Sequence, residues 1–519
     1  MVEGDQSETV ALLSAPVLDG EAGPVERIDT HISRIFLRGR RAWKIKRAVR
    51  LPYVDFSSAE ARLAACEEEV RLNSVTAPEI YRACHRVTRR ADGALALGGD
   101  GPLVDAVVEM TRFDQETLFD RMATAGRLSA ELMTRTALAI ARFHAAAPVR
   151  DTDGAAAMAQ VLAINAASLR ESALFTPADE DRFTDAFEAA LRSRRDRLSA
   201  RGAAGRVRRC HGDLHLRNIC LVGGEPRLFD CIDFSPVLAT VDVLYDLAFL
   251  LMDLIHRNLG GLAATVANRY LDATGDEAGF GLLPFFMAVR AGVRAHVAAT
   301  AAGGEPHAAP AAEARSYFRL ALALLEPAPP RLVAVGGLSG SGKSTLAEAV
   351  SAGVGTAPGA RVLESDRIRK SLFDVAAETR LPPEAYRPEV SERVYVAIAH
   401  RAAAVLASGG SVVANAVFDR PEDRARIAAV AREASVPFDG FWLAGGPALL
   451  AARVAGRRKG PSDADVAVLE RQIAGMAGPV EWRTLDAATP PGDLRAELLG
   501  ALGGTGGGGG DEVEGKEEE

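Results

Sequence analysis

A chain of 519 residues, 48% hydrophobic and 25% charged, has the size for two to four domains and the composition of an ordinary globular protein, which excludes a single small module. The net charge is −8, and the last nine residues alone carry six acids against one lysine. The body therefore lacks a global basic field, so no nucleic-acid or anionic-membrane partner is expected.

Five cysteines (Cys66, Cys84, Cys210, Cys220, Cys231) form no CxxC pair, which suggests neither a disulfide framework nor a zinc site and points to a reducing cytoplasm. No uninterrupted apolar run reaches 18 residues, and Glu3, Asp5 and Glu8 do not make the basic start of a secretory signal. Only six of the 61 basic residues are lysines, so the position of each lysine is informative.

In chain order, residues 1–24 read as an extension. Strand-like pieces at 32–37 and 42–49 and a helical segment at about 57–74 open a first module over 25–326, whose later part has helical spacing, as at 132–147 and 315–325. Three prolines in Glu326-Pro-Ala-Pro-Pro330 mark a linker at 327–330. Over 331–502 strands at 332–335, 361–363, 411–417 and 438–443 alternate with helices from 343, up to about 408 and at 421–434, the pattern of a parallel sheet covered by helices. The Gly-rich acidic tail, 503–519, has almost nothing to bury and reads as disordered.

Ala42-Trp-Lys44-Ile-Lys46 puts two of the six lysines on one side of a strand, and Glu67-Glu68-Glu69 in the next helix offers ion-pair partners in an unresolved register. Further on, His211-Gly-Asp213-Leu-His-Leu-Arg-Asn218 precedes a Gly223-Gly224 turn and Leu228-Phe-Asp230-Cys-Ile-Asp233-Phe234. Phosphoryl transfer needs such a set: one carboxylate to orient the hydroxyl nucleophile, an amide oxygen and a second carboxylate to hold Mg²⁺. The module resembles the aminoglycoside phosphotransferase and choline-kinase-like group, with an α+β bilobal protein-kinase-like fold. The resemblance implies Asp213 as catalytic base, His211 as brace of the loop, Asn218 and Asp233 as metal ligands with Asp230 the alternative, and Asp246 as anchor. It also implies Lys44 as the nucleotide lysine, with Glu69 its favoured partner. No GxGxxG precedes Lys44, only Ser33 and Gly39.

In the second module Gly337-Leu-Ser-Gly340-Ser-Gly342-Lys343-Ser344 fits GxxxxGK[ST] between a strand and a helix that continues through Thr345. Backbone N–H groups at such a helix start favour a phosphate, Lys343 reaches the β/γ oxygens, and the Ser344 hydroxyl serves Mg²⁺. Strand alternation is expected to put Glu364 and Asp366 on one side of the next strand end, beside this loop. Arg453 and Arg457, four apart with Arg458 and Lys459 following, have the spacing of a basic helical face. The module resembles the P-loop small-molecule kinases related to gluconate kinase, polynucleotide kinase and zeta-toxin-like enzymes. That likeness implies Asp366 as a substrate-side carboxylate and Arg453 and Arg457 as lid arginines. Strand three, which often ends in Asp in that clan, ends here in Asn415, which cannot carry the charge.

The order of modules resembles bacterial fusions of an aminoglycoside phosphotransferase-like domain with an ATP-binding P-loop domain. The expected function is an ATP/Mg²⁺-dependent kinase with two nucleotide sites acting on a hydroxyl of a small molecule; the rival is an ATP-binding switch without such turnover. The first module's acceptor pocket is expected among residues 250–320, where Arg257, Arg269, Arg290, Arg294, Arg315 and Arg319 make an anionic or neutral acceptor at least as fitting as an aminoglycoside polycation.

Overall fold

The computed structural model describes residues 2–503 apart from 19, 52, 53, 173, 304, 306, 457–459 and 477. The acidic tail from 504 and Arg457 thus lie outside the described residues. The chain forms two compact units, one of Met1–Arg257 with Phe286–Leu322, the other of Asn258–Phe285 with Ala323–Glu519.

In the first unit, strands β1 (Glu26–Asp29), β2 (Ser33–Arg38) and β3 (Arg41–Lys46) precede helix α1 (Ala59–Asn73). Strands β4 (Tyr81–Arg89), β5 (Leu95–Leu97) and β6 (Leu103–Thr111) complete an antiparallel sheet in the order β5-β4-β6-β3-β2-β1. Period-two alternation divides β3 between two cores: Trp43 and Ile45 pack with Leu13, Phe36 and Val107, while Ala42 packs with Leu37, Cys66 and Val108. The expected strand over 42–49 is two strands, because Val49–Leu51 turns away to pair with Val2–Glu3.

The extension at 1–24 is built into this unit. Gln6, 5% exposed, donates to the Lys46 carbonyl and to Asp105 and accepts the Ala48 N–H. The helical part contains α2 (Ala130–Ala146), the hairpin β7 (Ile219–Val222) and β8 (Glu225–Leu228), and the almost wholly buried α3 (Val243–His256).

The second unit takes helix α4 (Gly260–Thr274) from within the stretch assigned by sequence to the first module. Its sheet uses β9 (Leu332–Gly337), followed by α5 (Lys343–Ser351), β10 (Arg361–Glu364), α6 (Ser365–Leu372) and α7 (Pro388–Ala407). Then come β11 (Val412–Asn415), α8 (Pro421–Glu433), β12 (Phe438–Ala444) and β13 (Arg483–Asp486), giving a parallel sheet of order β10-β11-β9-β12-β13.

Strand β10 is an edge, and α4 covers it. Asn268 accepts the Val362 N–H at 2.7 Å and donates to the Ala360 carbonyl at 3.2 Å. Arg361, fully buried, is held by Asn268, by Asp272 at 2.8 Å and by Glu277 at 3.2 Å. These bonds give the unpaired edge backbone and a desolvated guanidinium the partners that burial demands.

All five cysteines are free. Among the described residues one helical stretch, Glu277–Ala302, has the length and composition of a membrane span, and it is mostly buried within the protein.

Candidate active sites

The His211–Asn218 loop of the first unit is fixed from behind by α3. Asp246 accepts the backbone N–H groups of His211 at 3.1 Å and Gly212 at 2.8 Å, and Asp253 accepts that of Leu216 at 3.1 Å. His144 of α2 meets the same Asp246 carboxylate at 3.1 Å. Gly212 has φ +85°, and a Cβ there would lie 2.9 Å from Ile232 Cδ1, so the tight turn before Asp213 requires glycine. His211 Nε2 bonds the Phe229 carbonyl at 2.9 Å, which ties the loop to the segment carrying Asp230 and Asp233.

Asp213 presents a side chain 40% exposed, accepts Asn218 Nδ2 at 2.8 Å and lies 3.4 Å from His215 Nε2. Burial opposes its charge, but His215, His211 and Arg290 hold the carboxyl below its ordinary range. The group is a carboxylate at neutral pH, open enough to meet a hydroxyl.

The lysines of β3 face α1. In that helix Arg62, Ala65, Cys66, Glu69 and Asn73 make the buried stripe, so Glu69 points inward, while Glu68 pairs with Arg71 at 2.6 Å on the outer face. Glu69 receives Lys44 on Oε1 and Lys46 on Oε2, each at 2.7 Å. Lys44 also reaches Asp230 at 2.5 Å, and Lys46 reaches Asp233. Burial works against Glu69's charge, yet the two ammoniums hold its carboxyl at about 2. Burial pushes Asp233 up to about 6, against the pull of Lys46.

No glycine loop precedes β3. The β1–β2 turn is closed instead by Thr30, whose Oγ1 accepts the Ser33 N–H at 3.0 Å.

In the second unit the phosphate-loop sequence runs from the end of β9 into α5. Gly342, at φ +94°, opens the helix and leaves Lys343 and Ser344 in its first turn, with Thr345 exposed beyond them. Gly337 and Gly340 also have positive φ. Ser344 Oγ donates to Glu364 Oε1 at 2.7 Å and accepts Asn415 Nδ2 at 3.0 Å. Burial raises the Glu364 carboxyl above its ordinary range, against Arg367, whose Nε lies 3.0 Å away.

Among the described residues, Asn415 Oδ1 and Ser341 Oγ are buried without a protein hydrogen-bond partner. Arg453, on an exposed helix face, donates to the Ser341 carbonyl at 3.5 Å.

Strand alternation misplaced one residue. Strand β10 ends at Glu364 and α6 begins at Ser365, so Asp366 sits in that helix's first turn and does not share the strand face of Glu364. The arginines expected at the first acceptor pocket also divide. Arg269 belongs to the second unit and pairs with Asp272 and Glu348, and Arg290 is spent on Asp246 and the Tyr245 carbonyl. Arg257 and Arg294 do line a small polar pocket with His215, Asp253, Glu313 and Tyr317, next to Asp213.

The model of the phosphotransferase enzyme family matches residues 40–282, and an AAA domain model matches residues 332–479. The uncharacterized proteins Rv2004c of Mycobacterium tuberculosis (strain ATCC 25618 / H37Rv) and Mb2027c of Mycobacterium bovis are each similar to this chain at 31% identity over 476 residues, covering 89% of it and 92% of their own length. Among solved structures, similarity extends to a choline/ethanolamine kinase family protein from Mesorhizobium loti, at 17% identity, 61% of this chain, 93% of that one and a TM-score of 0.40. A gluconokinase from Sinorhizobium meliloti 1021 is similar at 24% identity over 34% of this chain and 98% of its own, with a TM-score of 0.24.

Proposed function

The chain belongs to the family of Rv2004c and carries a phosphotransferase-family domain followed by a P-loop kinase-like domain, and on that premise we propose an enzyme with two ATP/Mg²⁺ sites that phosphorylates a hydroxyl of a small molecule. The observation that carries the reading is the meeting of Asp213, Asn218, Asp230, Lys44 and Glu69 around one braced loop.

The donor sets fit the group. One of the two carboxylates, half-exposed Asp230 or buried Asp233, joins Asn218 in supplying oxygens in the first unit; Ser344, Glu364 and the unpartnered Asn415 Oδ1 supply them in the second. Bound Mg²⁺-ATP brings the transferable phosphoryl group and the charge that steadies it. Lys44, kept protonated by Asp230 and Glu69 despite burial, binds phosphate oxygens, and Lys343 does so at the second site. Asp213 accepts a hydrogen bond from the acceptor hydroxyl, aims its lone pair at the γ-phosphorus and takes the proton as the new P–O bond forms and the bond to the bridging β–γ oxygen breaks, releasing ADP.

In the second unit Glu364 contributes the carboxylate that Asn415 lacks. Asp366 and Arg453 are the residues we assign there to substrate and phosphate.

An ATP-consumption screen of the full chain against sugars, polyols, nucleosides and aminoglycosides tests the reading, with Asp213→Asn and Lys343→Ala assigning each activity to its site. Acceptor-dependent ATP loss supports it. Tight nucleotide binding with no acceptor-dependent loss across the screen overturns it in favour of a nucleotide switch.

A further inference from the structure

We propose that Lys46 and Asp233 form a positioning pair that fixes Glu69 against Lys44 and leaves Asp230 as the metal-facing carboxylate of the first unit. The inference rests on the nucleotide-site reading of that unit and divides the work within it.

Two ammoniums and three carboxylates share this cluster, and their exposures separate their roles. The side chains of Lys46, Asp233 and Glu69 are 2%, 4% and 1% exposed, whereas that of Asp230 is 46% exposed. A carboxylate so enclosed, with an oxygen already given to an ammonium, has no open face for a hydrated cation. Asp230 has one. It sits at φ +62°, a conformation non-glycine residues adopt at a cost, and its N–H is held by the Tyr81 hydroxyl at 3.1 Å. Its other tie is Lys44 at 2.5 Å, the lysine free to exchange a carboxylate for a phosphate oxygen.

The inner pair has a different use. A buried ion pair contributes little net stability, since desolvation offsets its attraction, so its value lies in geometry. The Lys46 ammonium stands 2.7 Å from Glu69 Oε2 as an ion-pair partner, and that charge orients the carboxylate so that Oε1 receives Lys44. The Phe56 ring lies 5.7 Å from the Lys46 ammonium and keeps that side dry. The motif Lys44-Ile-Lys46 thus uses strand alternation to serve two acidic residues three apart, Asp230 and Asp233.

The test uses the full chain with Lys343→Ala, which silences the second nucleotide site. Binding of a fluorescent ATP analogue is titrated with and without Mg²⁺, and Mn²⁺ binding in the presence of ATP is followed by electron paramagnetic resonance. Asp230→Asn should weaken Mn²⁺ binding by about 10- to 100-fold and remove the Mg²⁺ dependence of nucleotide binding, whereas Asp233→Asn should change Mn²⁺ affinity by less than about threefold.

Lys46→Met should weaken nucleotide binding about tenfold by leaving Asp233 buried without its ammonium, and Lys46→Met with Asp233→Leu should recover most of that loss. The reverse pattern, with metal binding lost in Asp233→Asn and kept in Asp230→Asn, overturns the assignment. So does a double variant no better than Lys46→Met. Should Lys46→Met fail to fold, the comparison of the two isosteric Asp→Asn variants decides alone. Absence of nucleotide binding in the parent chain would instead reject the reading of the site itself.

Discussion

The hydroxyl of Ser344 points at Glu364, 2.7 Å away, although the two belong to different strand–helix turns and lie twenty positions apart. Asn415 holds the same hydroxyl from the neighbouring strand at 3.0 Å. A carboxylate therefore stands beside the phosphate loop, on β10 and not on β11.

A second carboxylate at 415 would be buried beside the first with one hydroxyl to share. Asn415→Asp should lose on the order of 3 kcal/mol of stability without Mg²⁺, as an uncompensated buried charge does. Melting with and without Mg²⁺ checks this: the cation should raise Tm more in the variant than in the parent, and less in Glu364→Gln. Equal Mg²⁺ responses in all three would show that this triad does not face a cation.

Lys343→Ala should lower the number of ATP-analogue sites per chain from two to one and leave the remaining affinity unchanged, because each lysine serves its own phosphates. Calorimetric stoichiometry measures it. Loss of both sites would contradict independent binding.

Asp213→Asn keeps size and hydrogen bonding but removes the proton acceptor. Nucleotide affinity should stay within a few-fold, and acceptor-dependent turnover should fall by about 10²- to 10⁴-fold. Loss of ATP binding in this variant would place Asp213 on the nucleotide instead of the acceptor.

Burial and the neighbouring Arg294 push His296 down to about 4, so it is neutral in the fold. The unfolded chain protonates it below its ordinary value near 6.5, so its contribution is complete above that pH and is lost as pH falls towards 4. The whole shift corresponds to roughly 3 kcal/mol. Urea unfolding at pH 7.5 and 5 should show a smaller loss for His296→Gln than for the parent; an unchanged pH slope would mean that His296 is solvated.

Asn268→Ala should destabilise the second unit by about 2–3 kcal/mol, since the Val362 N–H and the Ala360 carbonyl lose their side-chain partners at a buried edge. Chemical denaturation of the full chain carrying Trp43→Phe, so that the fluorescence comes from Trp442 and Trp482 of the second unit, reads this out. A change below about 0.5 kcal/mol would mean that water replaces the amide without penalty.

Local pattern made much of this legible. The α1 stripe through Arg62, Ala65, Cys66 and Glu69 follows helical spacing, and the helix after Lys343 starts where its glycine does. What sequence could not supply were pairings across long separations: Lys46 with Asp233, and Asn268 with the backbone of β10. Period-two alternation does not reach Asp366, because the chain turns from strand to helix at Ser365. The arginines of residues 250–320 are alike in sequence, and only burial against Asp246 or Glu348 distinguishes structural ones from those near Asp213.

The helix that covers β10 also sets an order of assembly. Synthesis releases α4 before any strand of the sheet it protects, so Asn268, Asp272 and Glu277 emerge before their partner Arg361 exists. A gene starting at the proline linker would encode the phosphate loop and all five parallel strands yet strip Arg361 of its carboxylate partners and leave the β10 edge open to strand-to-strand aggregation. A chain cut at that linker would therefore lack part of the second unit, whose helix α4 lies on the N-terminal side of the cut.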